Sequence, residues 1–316
     1  MTMRAWQVRR LGEPAEALEL ADVEPPEPGD GQVLVRVKAA ALNFPDVLMC
    51  RGQYQIRPPV PFTPGVELCG EVVGTGDRVI GSPVLPSGAL AEYTLMTEAE
   101  VLPAPSYLDD AEASAFLIAY QTGWFGLHRR AQLQAGETLL VHAAAGGVGS
   151  AAVQLGKSAG AHVIAVVGGP EKAEVARALG ADVVIDRRQE DFVAAVKGVT
   201  GGRGADVIFD PIGGDVYTGS TKCVAFEGRI LVVGFAGGTI PAPMLSHALI
   251  KNYSIVGLHW GLYRQRDPRS IADAHNDLVK LGLKPLVGGR LTLDEAAGGL
   301  ARLAAGETVG RLVVQP

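Results

Sequence analysis

The sequence predicts an α/β protein in which a β-rich segment precedes a doubly wound, parallel six-stranded sheet. Apolar runs of strand length alternate with helix-length segments from about Glu137 onward. The 41 glycines and 20 prolines stand between those runs, too many for a helical bundle and placed as turns. With 316 residues, 47% of them hydrophobic and 20% charged, the chain is long enough to bury two cores.

The β-rich part comes first. The runs VLVRVKAAAL (Val33 to Leu42), ELCGEVV (Glu67 to Val73) and DRVIGS (Asp77 to Ser82) are strand-like. Pro25, Pro26 and Pro28 lead through Gly29 and Asp30 into the first strong strand, and Gly74, Thr75 and Gly76 make a short turn. The alternation then begins: TLLVHAA, GVGSAAVQLGKSAG, HVIAVVG, PEKAEVARALG, DVVID and a helix from about Gln189 to Val199. It continues through DVIFD, a helix near Val216 to Ala225, RILVVGF, a short helix near Met244 to Lys251, and SIVGLHW. Six apolar strands separated by crossover helices require a parallel sheet buried on both faces. The tail holds a helix from about Pro268 to Leu281, the segment LKPLVGGRLTL, a helix from about Asp294 to Ala305 and the strand GRLVV. It is assigned back to the first domain, which gives divisions at 1–117, 118–260 and 261–316.

Charge and cysteine content narrow the partners. The 28 Lys+Arg against 34 Asp+Glu leave −6, with no basic block, so neither nucleic acid nor an anionic membrane is an expected partner. Cys50, Cys69 and Cys223 include no CxxC pair, so no disulfide framework or zinc ribbon is drawn, and a cytoplasmic location is expected. The stretch MTMRAWQVRR lacks the apolar core of a signal peptide, and His142 and several glycines interrupt the most apolar run, so no membrane span is expected.

The segment after TLLVH carries the clearest chemistry. Ala144, Gly146 and Gly149 occupy the three small positions of the GxGxxG spacing, with Gly147 and Val148 between them. Small residues there allow a tight turn, a close backbone approach to a pyrophosphate, and helix packing on the sheet. The phosphate would rest on the helix N-terminus. At the end of the second strand an NAD enzyme carries an acid for the ribose 2′-hydroxyl, but Gly168 and Gly169 stand there instead. Lys172 follows, and Arg187 and Arg188 come just after the third strand, a composition suited to the 2′-phosphate of NADPH.

The segments HAAAGGVG, GPEKAEVARALGADVVID, ALNFPDVLMCRGQY, PFTPGVELCGEVVGTGDRVIG, GRILVVGFAGG and GLHWGLY resemble the zinc-independent quinone oxidoreductase branch of the medium-chain dehydrogenase/reductase superfamily. The resemblance covers essentially the whole chain. It implies a GroES-like β-barrel domain completed by C-terminal segments, a Rossmann domain in the middle, and an active site in the cleft between them. It also implies an NADPH-dependent reduction of a quinone or enone, and a homodimer formed by pairing the Rossmann edge strand, here about Ser254 to Trp260. Asn43, Asp46 and Tyr54 are then the expected catalytic residues: Asn43 donating to an acceptor oxygen, Asp46 orienting it, Tyr54 giving a proton or stacking on a flat ring. Thr122 is expected near the nicotinamide. Gly234 and Phe235, at the end of the fifth strand, are expected on the same cofactor.

Zinc relatives place a Cys where Asn43 stands and a His-Glu pair where this chain has Val66 and Glu67, so no zinc is expected. Without a metal to polarise a carbonyl, acceptors that delocalise charge themselves are favoured over simple ketones. A reductase of 2-alkenals or enoyl thioesters and a non-catalytic NADPH-binding sensor stay open as alternatives. The turn at Gly74 to Gly76 is shorter than in relatives. His142 reads as a packed strand residue.

Overall fold

The computed structural model describes residues 2–316. The chain forms two compact units: the residues up to Ile118 together with Lys284–Pro316, and Ala119–Leu283.

The first unit holds a two-stranded sheet, Met3–Val8 with Leu18–Val23, and a seven-stranded sheet ordered Val287–Thr292, Arg311–Gln315, Gln32–Ala41, Leu68–Val72, Arg78–Gly81 and Leu102–Pro103, with Tyr93–Thr97 also paired to Gln32–Ala41. The pairs of the seven-stranded sheet are antiparallel apart from Val287–Thr292 with Arg311–Gln315. Inward-facing residues of alternate registers, among them Val35, Val37, Leu68, Met96, Leu312 and Val314, make one buried cluster with Trp6 and Leu300. The Trp6 indole N–H donates to the Leu293 carbonyl at 2.7 Å, so its polar edge is satisfied inside that cluster. Gly74 and Gly76 both have positive φ, and Gly76 N donates to Val72 O at 2.9 Å. The short Gly-Thr-Gly segment is thus a tight hairpin turn that only glycines enter without strain.

The second unit is the six-stranded parallel sheet, ordered Val183–Asp186, His162–Val167, Thr138–His142, Ala205–Asp210, Val224–Val232 and Ser254–Gly257. The chain starts at the centre, moves outward to one side, and returns to build the other. Thr138–His142 is buried along its whole length because it has a strand on each side and helices over both faces. Within it His142 bonds to Ser220 Oγ at 2.9 Å and packs edge-on against Phe192. No helix of the described residues is long and apolar enough to cross a membrane.

The division between units differs from the expected break after residue 260. The helices Trp260–Arg266 and Pro268–Lys280 belong to the parallel-sheet unit. Gln121 Nε2 donates to Ile271 O at 2.9 Å, Trp260 Nε1 donates to Gln121 Oε1 at 3.0 Å, and Arg129 pairs with Asp267 at 2.9 Å. Ala274 and Leu278 are fully buried, so the inner face of that long helix is core of this unit. Only the chain from Lys284 onward returns to the first sheet. The expected start of the second part, at 118, lies one residue from the observed Ala119, inside the helix Leu117–Trp124.

Candidate functional site

Two groups of residues carry chemistry, one in each unit.

In the parallel-sheet unit, the strand Thr138–His142 ends in a turn that opens the helix Gly147–Ser158 with Gly146 at its N-cap. Gly146 N donates back to Ala143 O at 2.8 Å, and Ala144 N donates to Val166 O of the neighbouring strand at 3.1 Å. A Cβ on Gly149 would stand inside contact distance of the Ala143 carbonyl oxygen, so only glycine lets the helix start this close to the strand. The leading N–H groups of Gly147, Val148 and Gly149 have no intrahelical acceptor and form a ready anion cradle. Ala143 itself has φ +49, a left-handed position that a non-glycine residue occupies only when its surroundings force it. Nothing in the sequence pattern announces that strain.

The cations gather one strand away. Arg187 Nε and Nη2 lie 3.3 Å from where a Cβ on Gly168 would be, and Arg188 Nη1 lies 3.0 Å from the corresponding place on Gly169. The Lys172 ammonium is held below its usual range by burial, then by Arg188 and Arg187 nearby. Three positive groups therefore converge on the Gly168–Gly169 turn. Asp186 at the end of Val183–Asp186 faces the two arginines as a carboxylate, and its Oδ1 accepts from Gly169 N at 2.8 Å and Arg188 N at 3.0 Å. Those two bonds hold its pKa down, and the one from Gly169 ties the two strand ends together. An acid closing a strand just before two arginines is the signal in the sequence that marks Asp186.

Thr122 is buried in the helix Leu117–Trp124, beside the fully buried Gln121. Gly234 and Phe235 follow the strand Val224–Val232, and Phe235 remains about one-third exposed.

In the first unit, Asn43 follows the strand Gln32–Ala41 and caps the helix Phe44–Cys50. Its Nδ2 donates to Ala41 O at 3.0 Å and to Glu67 Oε2 at 2.9 Å, and the residue is 1% exposed. Both partners are acceptors, so the amide nitrogen faces them and both of its donors are spent. The expectation that Asn43 donates to an acceptor oxygen is therefore corrected. Asp46, fully buried, accepts from Asn43 N at 2.8 Å and from Gly65 N at 2.9 Å. Both bonds fix backbone. Burial pushes its pKa up from 3.8 to about 7, against the lowering effect of those bonds and of Arg311.

Glu67 accepts from Ile118 N at 2.7 Å, and burial raises its pKa as well. The buried Arg311 donates to Leu42 O at 3.3 Å and supplies a positive charge facing Asp46 and Glu67. These four side chains form an interior polar network at the strand–helix junction. Tyr54 is half-buried and packs with Met49, Cys50 and Phe62.

Comparison with known proteins bears on both groups. Residues 29–106 match the alcohol dehydrogenase GroES-like domain family, and residues 147–275 match the zinc-binding dehydrogenase family. A quinone oxidoreductase-like protein 2 homolog of Nematostella vectensis is 37% identical over 325 residues, covering 98% of this chain and 88% of that one. The quinone oxidoreductase of Pseudomonas syringae pv. Tomato is 33% identical with a TM-score of 0.90, each chain fully covered. That of Thermus thermophilus, solved alone and with NADPH, is 32% identical with a TM-score of 0.84 over 99% of this chain and 100% of that one.

Proposed function

Because the chain belongs to the medium-chain dehydrogenase/reductase superfamily, in its quinone oxidoreductase branch, we propose that it is an NADPH-dependent reductase of quinones. The observation that carries this reading is the convergence of Lys172, Arg187 and Arg188 on the Gly168–Gly169 turn. A 2′-phosphate needs several charge-assisted donors there, and the acid beside the turn, Asp186, already spends its Oδ1 on the Gly169 and Arg188 N–H groups.

Bound NADPH would supply a hydride from its nicotinamide C4. Gly146, Gly147, Val148 and Gly149 would hold the pyrophosphate, Arg187, Arg188 and Lys172 the 2′-phosphate, and Thr122, Gly234 and Phe235 the nicotinamide end. Asn43 and Asp46 support the acceptor site by fixing backbone, and Tyr54 is the proposed contact for a flat ring.

The zinc of the wider superfamily does not suit this chain. Val66 has no donor atom, and Asn43 turns its amide nitrogen onto Ala41 and Glu67, so two of the ligand positions that the resemblance compares are lost.

A homodimer accompanies this reading. Ser254–Gly257 has a strand on one side only, and Ile255 on it is exposed. Nearby in the chain, Leu249 and Ile250 of the helix Leu245–Lys251 are 78% and 77% exposed, an apolar surface that a second copy would cover.

The test is the initial rate of NADPH and NADH oxidation with 1,4-benzoquinone, 9,10-phenanthrenequinone and crotonaldehyde, in the presence of a chelator. Quinone-dependent NADPH oxidation that survives chelation is expected. A preference for NADH overturns the cofactor assignment, a rate with crotonaldehyde alone moves the activity to double-bond reduction, and binding without turnover leaves a sensor.

A further inference from the structure

The order of the parallel sheet fixes where a dinucleotide on this unit must run. The pyrophosphate turn follows Thr138–His142, and the cationic turn lies on the side of His162–Val167 and Val183–Asp186. The other end of an extended cofactor must then lie over the strands on the opposite side, Ala205–Asp210 and Val224–Val232.

The loops after those two strands are joined to each other. Val233 N donates to Asp210 O at 2.9 Å, Ala236 N to Pro211 O at 3.0 Å, Gly237 N to Ile212 O at 3.0 Å, and Gly214 N to Thr239 O at 3.0 Å. The contact leaves no spare room: a Cβ on Gly213 would come within 2.8 Å of Phe235 Cδ1 and 2.9 Å of Thr239 O. At the root of this ladder stands the Asp210 side chain, 1% exposed. Its Oδ1 accepts from Ile212 N at 2.8 Å and from Gly213 N at 3.0 Å, which bends Pro211–Gly214 into the shape that the second loop pairs with.

We propose that Asp210 is a positioning residue for the nicotinamide end of the cofactor: through the turn Pro211–Gly214 it holds the loop Gly234–Thr239 in place. It touches no ligand itself. The inference rests on the NADPH reading above and deepens it. Burying a carboxylate is costly unless strong donors meet it, so a carboxylate kept here implies that the geometry of the turn matters. Removing it releases two buried N–H groups and lets the joined loops shift, while the pyrophosphate turn and the cationic turn, on other strands, keep their own bonds.

The experiment compares binding of NADPH and of 2′-phospho-ADP-ribose, which lacks the nicotinamide, to the wild type, Asp210→Ala and Asp210→Asn. Asp210→Ala is expected to bind 2′-phospho-ADP-ribose within twofold of the wild type but NADPH at least tenfold more weakly, and to lose the shift in NADPH emission on binding. Asp210→Asn, which keeps an acceptor oxygen, is expected to recover most of the NADPH affinity. If Asp210→Ala does not fold, Gly213→Ala forces the loops apart with the carboxylate intact and is expected to give the same nicotinamide-selective loss. Equal weakening of both ligands, or of neither, overturns the proposal. A wild type that binds neither ligand instead overturns the cofactor reading on which it stands.

Discussion

Arg187 lies across Gly168, with its Nε and Nη2 both 3.3 Å from the place a Cβ would take. The bare backbone of Gly168 is what lets the guanidinium close over the turn. A charge-assisted contact of this kind contributes about 1.5–3 kcal/mol, or at least tenfold in affinity. Arg187→Ala is therefore expected to raise the KM for NADPH about tenfold and to leave that for NADH unchanged. Equal effects on the two cofactors in steady-state kinetics would show that Arg187 acts on the fold alone.

Gly149→Ala tests the other end of the same surface. The added methyl meets the Ala143 carbonyl, which belongs to the strand end and cannot swing away. Overpacking of this sort costs roughly 1–3 kcal/mol. The variant is expected to melt several degrees lower and to lose cofactor binding, read by thermal denaturation with and without NADPH.

Asn43→Ala separates support from catalysis. Its loss leaves Glu67 Oε2 and Ala41 O buried without the donor they now share, at about 1–3 kcal/mol for each acceptor. A lower denaturation midpoint in urea is expected, whereas a group acting only on the acceptor would lower kcat at unchanged stability.

These cases show what sequence can and cannot reveal. The six parallel strands were legible because each is a short apolar run between turn residues, and the nucleotide turn because its small residues sit at a strand end. The roles of Asn43 and Asp46 were not. In the sequence they flank Phe44 and Pro45 in a polar turn, and their burial depends on Glu67, 24 positions away, and on Arg311, which reaches Leu42 across 269 positions. The place of the helix Pro268–Lys280 is hidden for a related reason: its amphipathic pattern shows that it packs, but Gln121, which holds it, and Arg129, which pairs with Asp267 just before it, lie far upstream.

His142 gives a pH prediction. Burial holds its pKa down to about 3, against 6.5 for the free side chain. The unfolded chain takes up a proton below about pH 6.5 and the folded chain does not, so stability falls as pH drops from 6.5 towards 3, by up to about 1.4 kcal/mol per unit. In His142→Gln this part of the acid slope is expected to disappear. Urea titrations at pH 7.5, 6 and 5 measure it, and parallel slopes in the two proteins would contradict it.

Ile255→Asp places a charge on the exposed edge strand Ser254–Gly257. Sedimentation at micromolar concentration is expected to show a dimer for the wild type and a monomer for the variant.

The split first unit has a consequence for how the chain is made. Its sheet needs Arg311–Gln315 beside Gln32–Ala41, and the Leu42 amide is bonded to the Leu312 carbonyl. The parallel-sheet unit, by contrast, is one continuous stretch, Ala119–Leu283. On the ribosome the middle of the protein can therefore reach its native state first, while the end of Gln32–Ala41 waits for its last neighbour. A stalled or truncated message would leave the Ala40–Ala41 end of that strand without the neighbour that Val313 and Val314 provide.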